Sequence, residues 1–197
     1  MTPGRIIIIS GPSGSGKTTL HKKLLASRGL KGLVVKSISA TTRPRRKGEI
    51  SGRDYLFLGK KDFLEKQKTG YFLESQKVFD YYYGTPAKNV EDLLKKGKYV
   101  LLCIDVKGAR VVWRKYPDAV KIFVKVPTMR ILRERLRKRG TENFKDLSVR
   151  LKTARQELRQ AKQYDCVLVN DDLRKTCARL VRWVSAQVKP GQADRRP

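Results

Sequence analysis

The sequence predicts an α/β protein in which helices flank a mainly parallel β-sheet. Two observations lead to this prediction: short apolar runs without polar alternation, and helical patterns that stand between them. A short continuous apolar run is typical of a strand that is buried on both faces of a parallel sheet. Strands that alternate with helices are typical of layered α/β folds.

The individual elements follow in chain order. The first strand, RIIIIS at 5–10, leads into glycine-rich sequence, and a helix is predicted to begin near Lys17 and to end near Leu25. Four further apolar runs predict strands at 33–39, 99–105, 120–127 and 166–170. The remaining helical patterns predict helices at 128–139, 143–163 and 172–188.

Two segments break this alternation, and we expect a single domain at 1–189 with two insertions. Residues 40–92 mix turn residues, aromatic residues and charges, which indicates an inserted lobe. Residues 130–155 are rich in arginine and lack strand patterns, which indicates a second, mobile insertion. The core would then consist of 4–39, 93–129 and 156–189, followed by a disordered tail at 190–197.

The composition predicts one soluble domain. The chain has 197 residues, of which 40% are hydrophobic, and this is enough for a continuous core. No apolar run approaches the roughly 20 residues of a membrane span, and the N-terminus lacks a signal-peptide pattern. We therefore expect a cytoplasmic protein, either a monomer or a weak homo-oligomer. Cys103, Cys166 and Cys177 have no metal-site or disulfide spacing, so no structural metal is predicted.

The chain is strongly basic, with 46 lysines and arginines against 18 acidic residues and a net charge of +28. Such a surface attracts polyanions without sequence preference. The charge suits a protein that binds nucleic acid or a membrane surface, and it also suits an enzyme with nucleotide substrates. We favour the enzyme because the excess charge is spread along the chain, and we expect non-specific polyanion binding as a side effect.

Residues 11–18 match the phosphate-binding pattern G-x-x-x-x-G-K-[ST]. Its glycines let backbone N–H groups turn toward phosphate oxygens, and the Lys17 ammonium reaches the β- and γ-phosphates. The pattern follows a predicted strand and opens a predicted helix, as such a site requires, whereas a simple glycine-rich turn has no need of the Lys-Thr pair. ATP binding is therefore predicted at Gly11, Pro12, Ser13, Gly14, Ser15, Gly16, Lys17, Thr18 and Thr19.

A magnesium site is predicted beside this loop, with Mg²⁺ as the expected cofactor. The hydroxyl of Thr18 can ligate the ion. Asp105 ends the apolar strand YVLLCID, where an acidic residue commonly lies near the metal, directly or through water. The alternative for Asp105 is a carboxylate that caps the following turn.

Seven sequence blocks in one order give the chain a family resemblance. They are ISGPSGSGKTTL at 9–20, GE.SG.DY.F at 48–57, YFLE at 71–74, YYGTP at 82–86, ID.KG at 104–108, R-L-x-x-R-G-T-E at 135–142 and VNDDL at 169–173. Together they resemble guanylate kinase, the family that transfers a phosphoryl group from ATP to GMP, over roughly residues 5–185. The resemblance implies a P-loop NTPase-type parallel sheet flanked by helices, a GMP-binding lobe at 40–92 and a mobile lid at 130–155.

The resemblance assigns the acceptor nucleotide to the inserted lobe. Guanine presents N1–H and its 2-amino group as adjacent donors, and the ionised carboxylate of Glu74 can accept from both. Adenine carries an acceptor at N1, so the same carboxylate would reject it. Arginine binds phosphate through two parallel hydrogen bonds, and tyrosine hydroxyl groups add donors. The implied GMP-binding residues are Ser39, Arg43, Arg46, Tyr55, Glu74, Tyr83, Thr85 and Asp105.

The resemblance also implies a set of catalytic residues. Phosphoryl transfer needs alignment and compensation of negative charge, and no general base is required because the acceptor is already an ionised phosphate. Arg135, Arg139 and Arg150 match arginines of the family's lid, and together with Lys17 they are the implied catalytic residues.

Three further residues bear on the functional assignment. Asn170 and Asp171 match a family segment near the adenine of ATP, with a turn cap as the alternative, and Cys103 stands where the family usually has an acidic residue. Two other functions are considered, a non-catalytic guanylate-kinase-like binding module and a basic nucleic-acid-binding protein on the same fold. Such modules typically lose the phosphate loop that this chain keeps, and nucleic-acid binding does not explain Glu74. We therefore expect an ATP:GMP phosphotransferase.

Overall fold

The computed structural model describes residues 4–138 and 144–188, with the backbone alone for 144–146. The helices in these ranges are α1 Lys17–Leu25, α2 Lys60–Lys68, α3 Ala87–Lys95, α4 Val106–Lys115, α5 Met129–Arg137, α6 Phe144–Arg159 and α7 Leu173–Gln187. None of the helices in this described part is long and apolar enough to cross a membrane. The predicted tail and the lid residue Arg139 lie outside the described residues.

The central sheet has five parallel strands, as the sequence predicts. They are β1 Ile6–Ser10, β2 Val34–Lys36, β7 Tyr99–Cys103, β8 Val120–Lys125 and β9 Cys166–Val169. Their order across the sheet is β2-β7-β1-β8-β9. The α/β fold class is therefore confirmed. Because all five strands run in the same direction, their carboxyl ends meet at one edge, where ligands of such sheets bind.

The central strand β1 shows how the sheet is held between two helical layers. All four of its isoleucines are buried, and successive side chains of a strand point to opposite faces. Ile7 and Ile9 pack in one core with residues of α1 and α7. Ile6 and Ile8 pack in a second core with residues of α3 and α4. A continuous apolar strand is therefore required here, because neither face of the sheet meets water.

The segment predicted to be an inserted lobe contains a second sheet. Its strands are β3 Ala40–Thr41, β4 Leu56–Phe57, β5 Phe72–Val78 and β6 Tyr81–Pro86, in the order β4-β3-β6-β5. Helix α2 covers this sheet through buried Phe63, whose ring stacks on Phe72 with 4.5 Å between centroids. The predicted lobe boundary at residue 92 falls inside α3, and Val90 of that helix packs in the central core. We therefore group α3 with the core rather than with the lobe.

The predicted lid segment is helical. Helices α5 and α6 pack against each other through a small apolar cluster that includes Leu132, Leu136, Leu147 and Leu151. The arginine-rich sequence between the core strands thus forms a helical pair with its own core. The mobility of this pair stays a prediction.

Candidate functional site

A cavity of about 550 Å³ opens between the carboxyl edge of the central sheet, the inserted lobe and α6. It unites residues that the sequence predicts from separate blocks. The predicted residues that line it are Gly11, Ser13, Gly14, Gly16, Lys17, Thr18, Ser39, Arg43, Arg46, Tyr55, Glu74, Tyr83, Asp105 and Arg150. We call this cavity the cleft. Residues of the phosphate loop, of the predicted GMP-binding lobe and of the predicted lid therefore face one shared space.

The phosphate loop is a tight turn that only glycine permits at key positions. Gly11 and Gly16 have φ angles of 136° and 96°, in the region that side chains disfavour. A Cβ atom at Gly11 would also collide with the carbonyl oxygen of Val124. The loop leads directly into α1, whose N-terminus has no side-chain cap. The first N–H groups of α1 and its positive dipole end are therefore available to an anion.

The side chain of Lys17 lies across this loop. Its ammonium group donates to the carbonyl oxygens of Gly11 at 2.5 Å and Pro12 at 2.9 Å. A phosphate oxygen is a charged acceptor and bonds an ammonium more strongly than a carbonyl does. Lys17 can therefore exchange a carbonyl partner for a phosphate while it remains at the loop.

Asn170 holds the phosphate loop through a side-chain hydrogen bond. Its side-chain amide donates to the carbonyl oxygen of Ser15 at 2.8 Å, and a Cβ atom at Gly16 would collide with the same amide group. The guanidinium of Arg135 donates to the carbonyl oxygen of Asn170 at 3.0 Å. Asp171 is exposed, and its carboxylate accepts from the N–H of Asp172. Asn170 thus connects the lid helix α5 to the loop, and the contact of Asn170 and Asp171 with adenine stays a prediction.

Glu74 provides a buried carboxylate in the cleft. The residue is 5% exposed, and the hydroxyl of Thr85 donates to its Oε1 at 2.6 Å. Burial raises the pKa of Glu74 to about 7, the Thr85 bond opposes this shift, and the charge of Asp105 adds to it. Each carboxylate oxygen has two acceptor positions, so the Thr85 bond leaves acceptors for a base.

Gly108 of α4 makes room for this carboxylate. A Cβ atom at Gly108 would lie 2.5 Å from Oε2 of Glu74, well inside van der Waals contact. Alanine is the better helix former by about 1 kcal/mol, so helix propensity does not explain the glycine. The close approach of the carboxylate does explain it.

We expect Gly108→Ala to raise the KM for GMP by about tenfold and to leave the KM for ATP unchanged. The added methyl group displaces the Glu74 carboxylate, and a misplaced acceptor costs on the order of 1–3 kcal/mol of binding. Steady-state kinetics with each substrate varied in turn measure both constants. Gly29→Ala is the matched control, because a Cβ atom there meets nothing within 4 Å. An unchanged KM for GMP in Gly108→Ala contradicts the role of Gly108.

The residues predicted to hold the GMP phosphate form a partly buried cluster. Arg43 donates to both carboxylate oxygens of Glu49, at 2.7 and 3.0 Å, and its guanidinium lies 5.6 Å from the Tyr55 ring centroid. The N–H of Arg46 donates to Glu49 as well. Although burial opposes it, these bonds lower the pKa of Glu49 below its usual value. Glu49 thus holds the guanidinium of Arg43 and the backbone of Arg46.

The tyrosines of this cluster are also held in place. The rings of Tyr55 and Tyr83 meet edge to face with 6.2 Å between centroids. Burial raises the pKa of Tyr55 to about 12. The Tyr55 hydroxyl therefore keeps its proton at neutral pH and can donate to a phosphate oxygen.

Asp105 is the N-cap of α4. Its Oδ1 accepts from the N–H groups of Lys107 at 2.7 Å and Gly108 at 3.0 Å. The capping alternative is therefore observed, and the same carboxylate lines the cleft together with Thr18. Within the described ranges, no group of three acidic, histidine or cysteine side chains could hold a metal by itself. The oxygens of Thr18 and Asp105 fit Mg²⁺, which commonly binds one or two protein oxygens, water and substrate phosphates, and this metal role stays a prediction.

Helix α6 contributes two ionisable side chains to the cleft, Arg150 and Glu157. The guanidinium of Arg150 lies 4.4 Å from the ring centroid of Phe79, at the tip of the β5–β6 hairpin. Glu157 of the same helix lines the cleft, and burial raises its pKa to about 7, an effect that Lys17 opposes and Asp105 increases. Cys103 also lines the cleft, and burial raises the pKa of its thiol. At neutral pH the position of Cys103 therefore carries no negative charge.

Glu49, Gly108 and Glu157 are among the residues of the site that were not identified from the sequence. Glu49 and Gly108 belong to the blocks GE.SG.DY.F and ID.KG, but the block pattern alone assigns them no role. Glu157 lies outside every block, and no local signal separates it from the other charges of α6.

Known proteins resemble the chain along nearly its whole length. A family model described as guanylate kinase matches residues 3–187. Proteins named guanylate kinase from Symbiobacterium thermophilum and Rubrobacter xylanophilus are each 42% identical to it, over 185 and 191 residues. These matches cover 93% and 97% of this chain and 86% and 98% of the relatives. The crystal structure of guanylate kinase from Anaplasma phagocytophilum is similar, with a TM-score of 0.79, 35% identity and coverage of 96% of this chain and 89% of that chain.

Proposed function

The chain belongs to the guanylate kinase family and is an ATP:GMP phosphotransferase, and we propose that the cleft carries out the transfer between ATP at the phosphate loop and GMP at Glu74. The products are ADP and GDP. One observation carries the proposal: a phosphate loop and a buried carboxylate line the same cavity of about 550 Å³. That arrangement suits two nucleotides whose phosphates meet between them.

The acceptor end selects guanine through Glu74. The ionised carboxylate accepts from N1–H and from the 2-amino group, while Thr85 holds one of its oxygens at 2.6 Å. Adenine offers no such donor pair and leaves the remaining acceptor positions of the buried carboxylate unpaired, which is strongly unfavourable. Ser39 adds a hydroxyl at the same wall of the cleft. The arginines and tyrosines organised around Glu49 hold the GMP phosphate.

The donor end binds the ATP phosphates through the loop and the start of α1. Backbone N–H groups donate to phosphate oxygens, and Lys17 donates to the β- and γ-phosphates. Asn170 supports the loop through Ser15, so the loop keeps its shape as ligands come and go. We assign Asn170 and Asp171 to the adenine side of this end.

The lid arginines compensate charge during transfer. Arg150 lines the cleft and Arg135 reaches the segment beneath the loop, and we assign the same role to Arg139. The attacking group is an oxygen of the GMP phosphate, which is already ionised, so no residue has to remove a proton. Closure of the lid excludes water from the γ-phosphoryl group and directs the transfer to GMP.

Thr18 and Asp105 would hold Mg²⁺ in this arrangement. When bound, the ion neutralises charge on the β- and γ-phosphate oxygens. We further propose that the protein is cytoplasmic and a monomer or weak homo-oligomer. The non-catalytic alternative is disfavoured because the chain retains both the complete phosphate loop and Glu74.

A coupled assay of ADP release tests the proposed function directly. ATP is supplied with GMP, AMP, CMP or UMP in separate reactions under identical conditions. We expect rapid turnover with GMP and almost none with the other three. Turnover with none of them would reject the enzyme, and comparable rates with AMP would reject the role of Glu74.

The catalytic efficiency, kcat/KM, for GMP is expected to fall as the pH drops below about 7. The pKa of Glu74 is about 7, so the carboxylate that guanine needs becomes protonated below that value and ionised above it. The efficiency should fall by about tenfold per pH unit on the acid side. Because the phosphate of GMP itself titrates near pH 6, Glu74→Gln is the control and should lack the step near pH 7. The same step in wild type and Glu74→Gln would contradict the assignment.

A further inference from the structure

The outer face of α7 carries a row of cations that the kinase reaction does not use. Arg174, Lys175, Arg179 and Arg182 are all exposed, and we call these four residues the α7 stripe. Helix α7 contains no acidic residue from Leu173 to Gln187. Of the described residues that line the cleft, none belongs to α7. The stripe therefore needs an explanation apart from ATP and GMP.

We propose that the α7 stripe binds the phosphate backbone of nucleic acid without sequence preference. At a rise of about 1.5 Å per residue, the stripe extends about 12 Å from Arg174 to Arg182, and one strand of a duplex carries about one charge per 3.4 Å of helix axis over this length. Three of its four members are arginines, whose planar groups bind phosphate through paired hydrogen bonds. The stripe therefore matches a linear row of phosphates.

The cations of the stripe are available to a ligand. Among the residues that the structure describes, no ion pair within 4.0 Å involves any of the four, whereas Arg5, Arg43 and Lys121 pair with acidic residues elsewhere. The nearest acidic residues precede the helix: Asp172 accepts from the N–H of Lys175, and Asp171 accepts from the N–H of Asp172. Asp171 also interacts electrostatically with Lys175 and Arg179, without an ion pair within 4.0 Å, and Arg182 is not among the charges that act on it.

The buried side of α7 favours nucleic acid over a membrane surface. A helix that lies on a membrane inserts its apolar face among the lipids. The apolar face of α7 is committed to the protein core, where Leu180 and Val184 are 0% exposed. Ala178 and Ser185, the small exposed residues beside the cations, are too short to reach base edges, so the duplex is contacted by the cations of the stripe. Contacts from arginine and lysine to phosphates carry no sequence information, and binding without sequence preference is therefore expected.

Fluorescence anisotropy with a labelled DNA duplex of mixed sequence and increasing KCl tests this proposal on the full chain. The test variant carries Lys175→Gln, Arg179→Gln and Arg182→Gln. The control carries Lys60→Gln, Lys61→Gln and Lys68→Gln, three exposed lysines of α2 where Asp62 and Glu65 intervene. Both variants lose three positive charges. A difference in their affinity for the duplex therefore reports where the duplex binds and not the effect of total charge.

We expect wild type to bind the duplex with an affinity that falls steeply with salt. The slope of log K against log[KCl] should become shallower by about 2.7 in the α7 variant and by less than about 1 in the α2 variant. Kinase activity should be retained in both, which also reports that they are folded. If the triple variant does not fold, the single variants Arg179→Gln and Arg182→Gln should each lower the slope by about 0.9.

Three outcomes overturn the proposal. The first is the absence of duplex binding by wild type at low salt. The second is an equal loss of slope in the α7 and α2 variants, which would mean that total charge alone attracts the duplex. The third is binding to vesicles of anionic phospholipid without binding to the duplex.

Discussion

Turnover is expected to fall by about 10²- to 10³-fold in Lys17→Ala while GMP binding is unchanged. The ammonium group lies at the phosphate loop, 2.5 Å from the Gly11 carbonyl, and would compensate charge on the transferred group. Removing one such preorganised electrostatic donor typically costs about 2.7–4 kcal/mol of transition-state stabilisation. In the proposed arrangement GMP contacts Glu74 and the arginine cluster, so its affinity should not depend on this ammonium.

Steady-state kcat values and calorimetric titration with GMP measure the two quantities separately. Lys22→Ala is the matched control, because Lys22 is an exposed lysine on the same helix and does not line the cleft. It should retain full activity. Activity close to that of wild type in Lys17→Ala would mean that the phosphate loop does not bind the transferred group.

Glu74→Gln is expected to lower kcat/KM for GMP by about 10²- to 10³-fold and to leave the KM for ATP unchanged. The amide keeps the shape of the carboxylate, and its oxygen can still accept from Thr85. Its NH₂ group replaces an acceptor with a donor that faces the donors of guanine, which loses one hydrogen bond and leaves two buried donors opposed. The preference for GMP over AMP should shrink together with the efficiency.

The effect of Glu74→Gln should be confined to GMP, the acceptor substrate. Glu65→Gln on α2 removes an exposed carboxylate of the same lobe and should leave both substrates unaffected. Equal losses for ATP and GMP in Glu74→Gln would indicate general damage to the protein rather than loss of base selection.

The central sheet could be predicted closely because its strands carry a strong local signal. Four consecutive isoleucines make both faces of a strand apolar, which indicates a strand buried on both sides. The predicted strand at 5–10 corresponds to Ile6–Ser10. The strand predicted at 33–39 is shorter, Val34–Lys36, because it lies at the sheet edge and pairs only with β7. The two-residue strands Ala40–Thr41 and Leu56–Phe57 were not predicted individually. Their pairing depends on segments far away in the chain.

The parts of the site that lie in contiguous sequence motifs could be predicted. The contacts that depend on packing between distant segments could not. The phosphate loop and Glu74 line one cleft, as expected from the blocks that contain them. The role of Gly108 could not be predicted, since it depends on how close α4 comes to the carboxylate of Glu74. The bonds that Arg43 donates to Glu49 were not predicted either. The cap made by Asp105 joins close neighbours in the chain, and it was the alternative that the sequence offered for this residue.

A crystal structure with GMP and a non-hydrolysable ATP analogue bound together tests the central claim most directly. The claim is that one cleft joins two nucleotides end to end and that Glu74 chooses the acceptor base. We predict the Glu74 carboxylate within about 2.7–3.2 Å of N1 and the 2-amino nitrogen of guanine, with the Lys17 ammonium on the β- and γ-phosphates. Guanine bound away from Glu74, or phosphates bound away from the loop, would contradict the account.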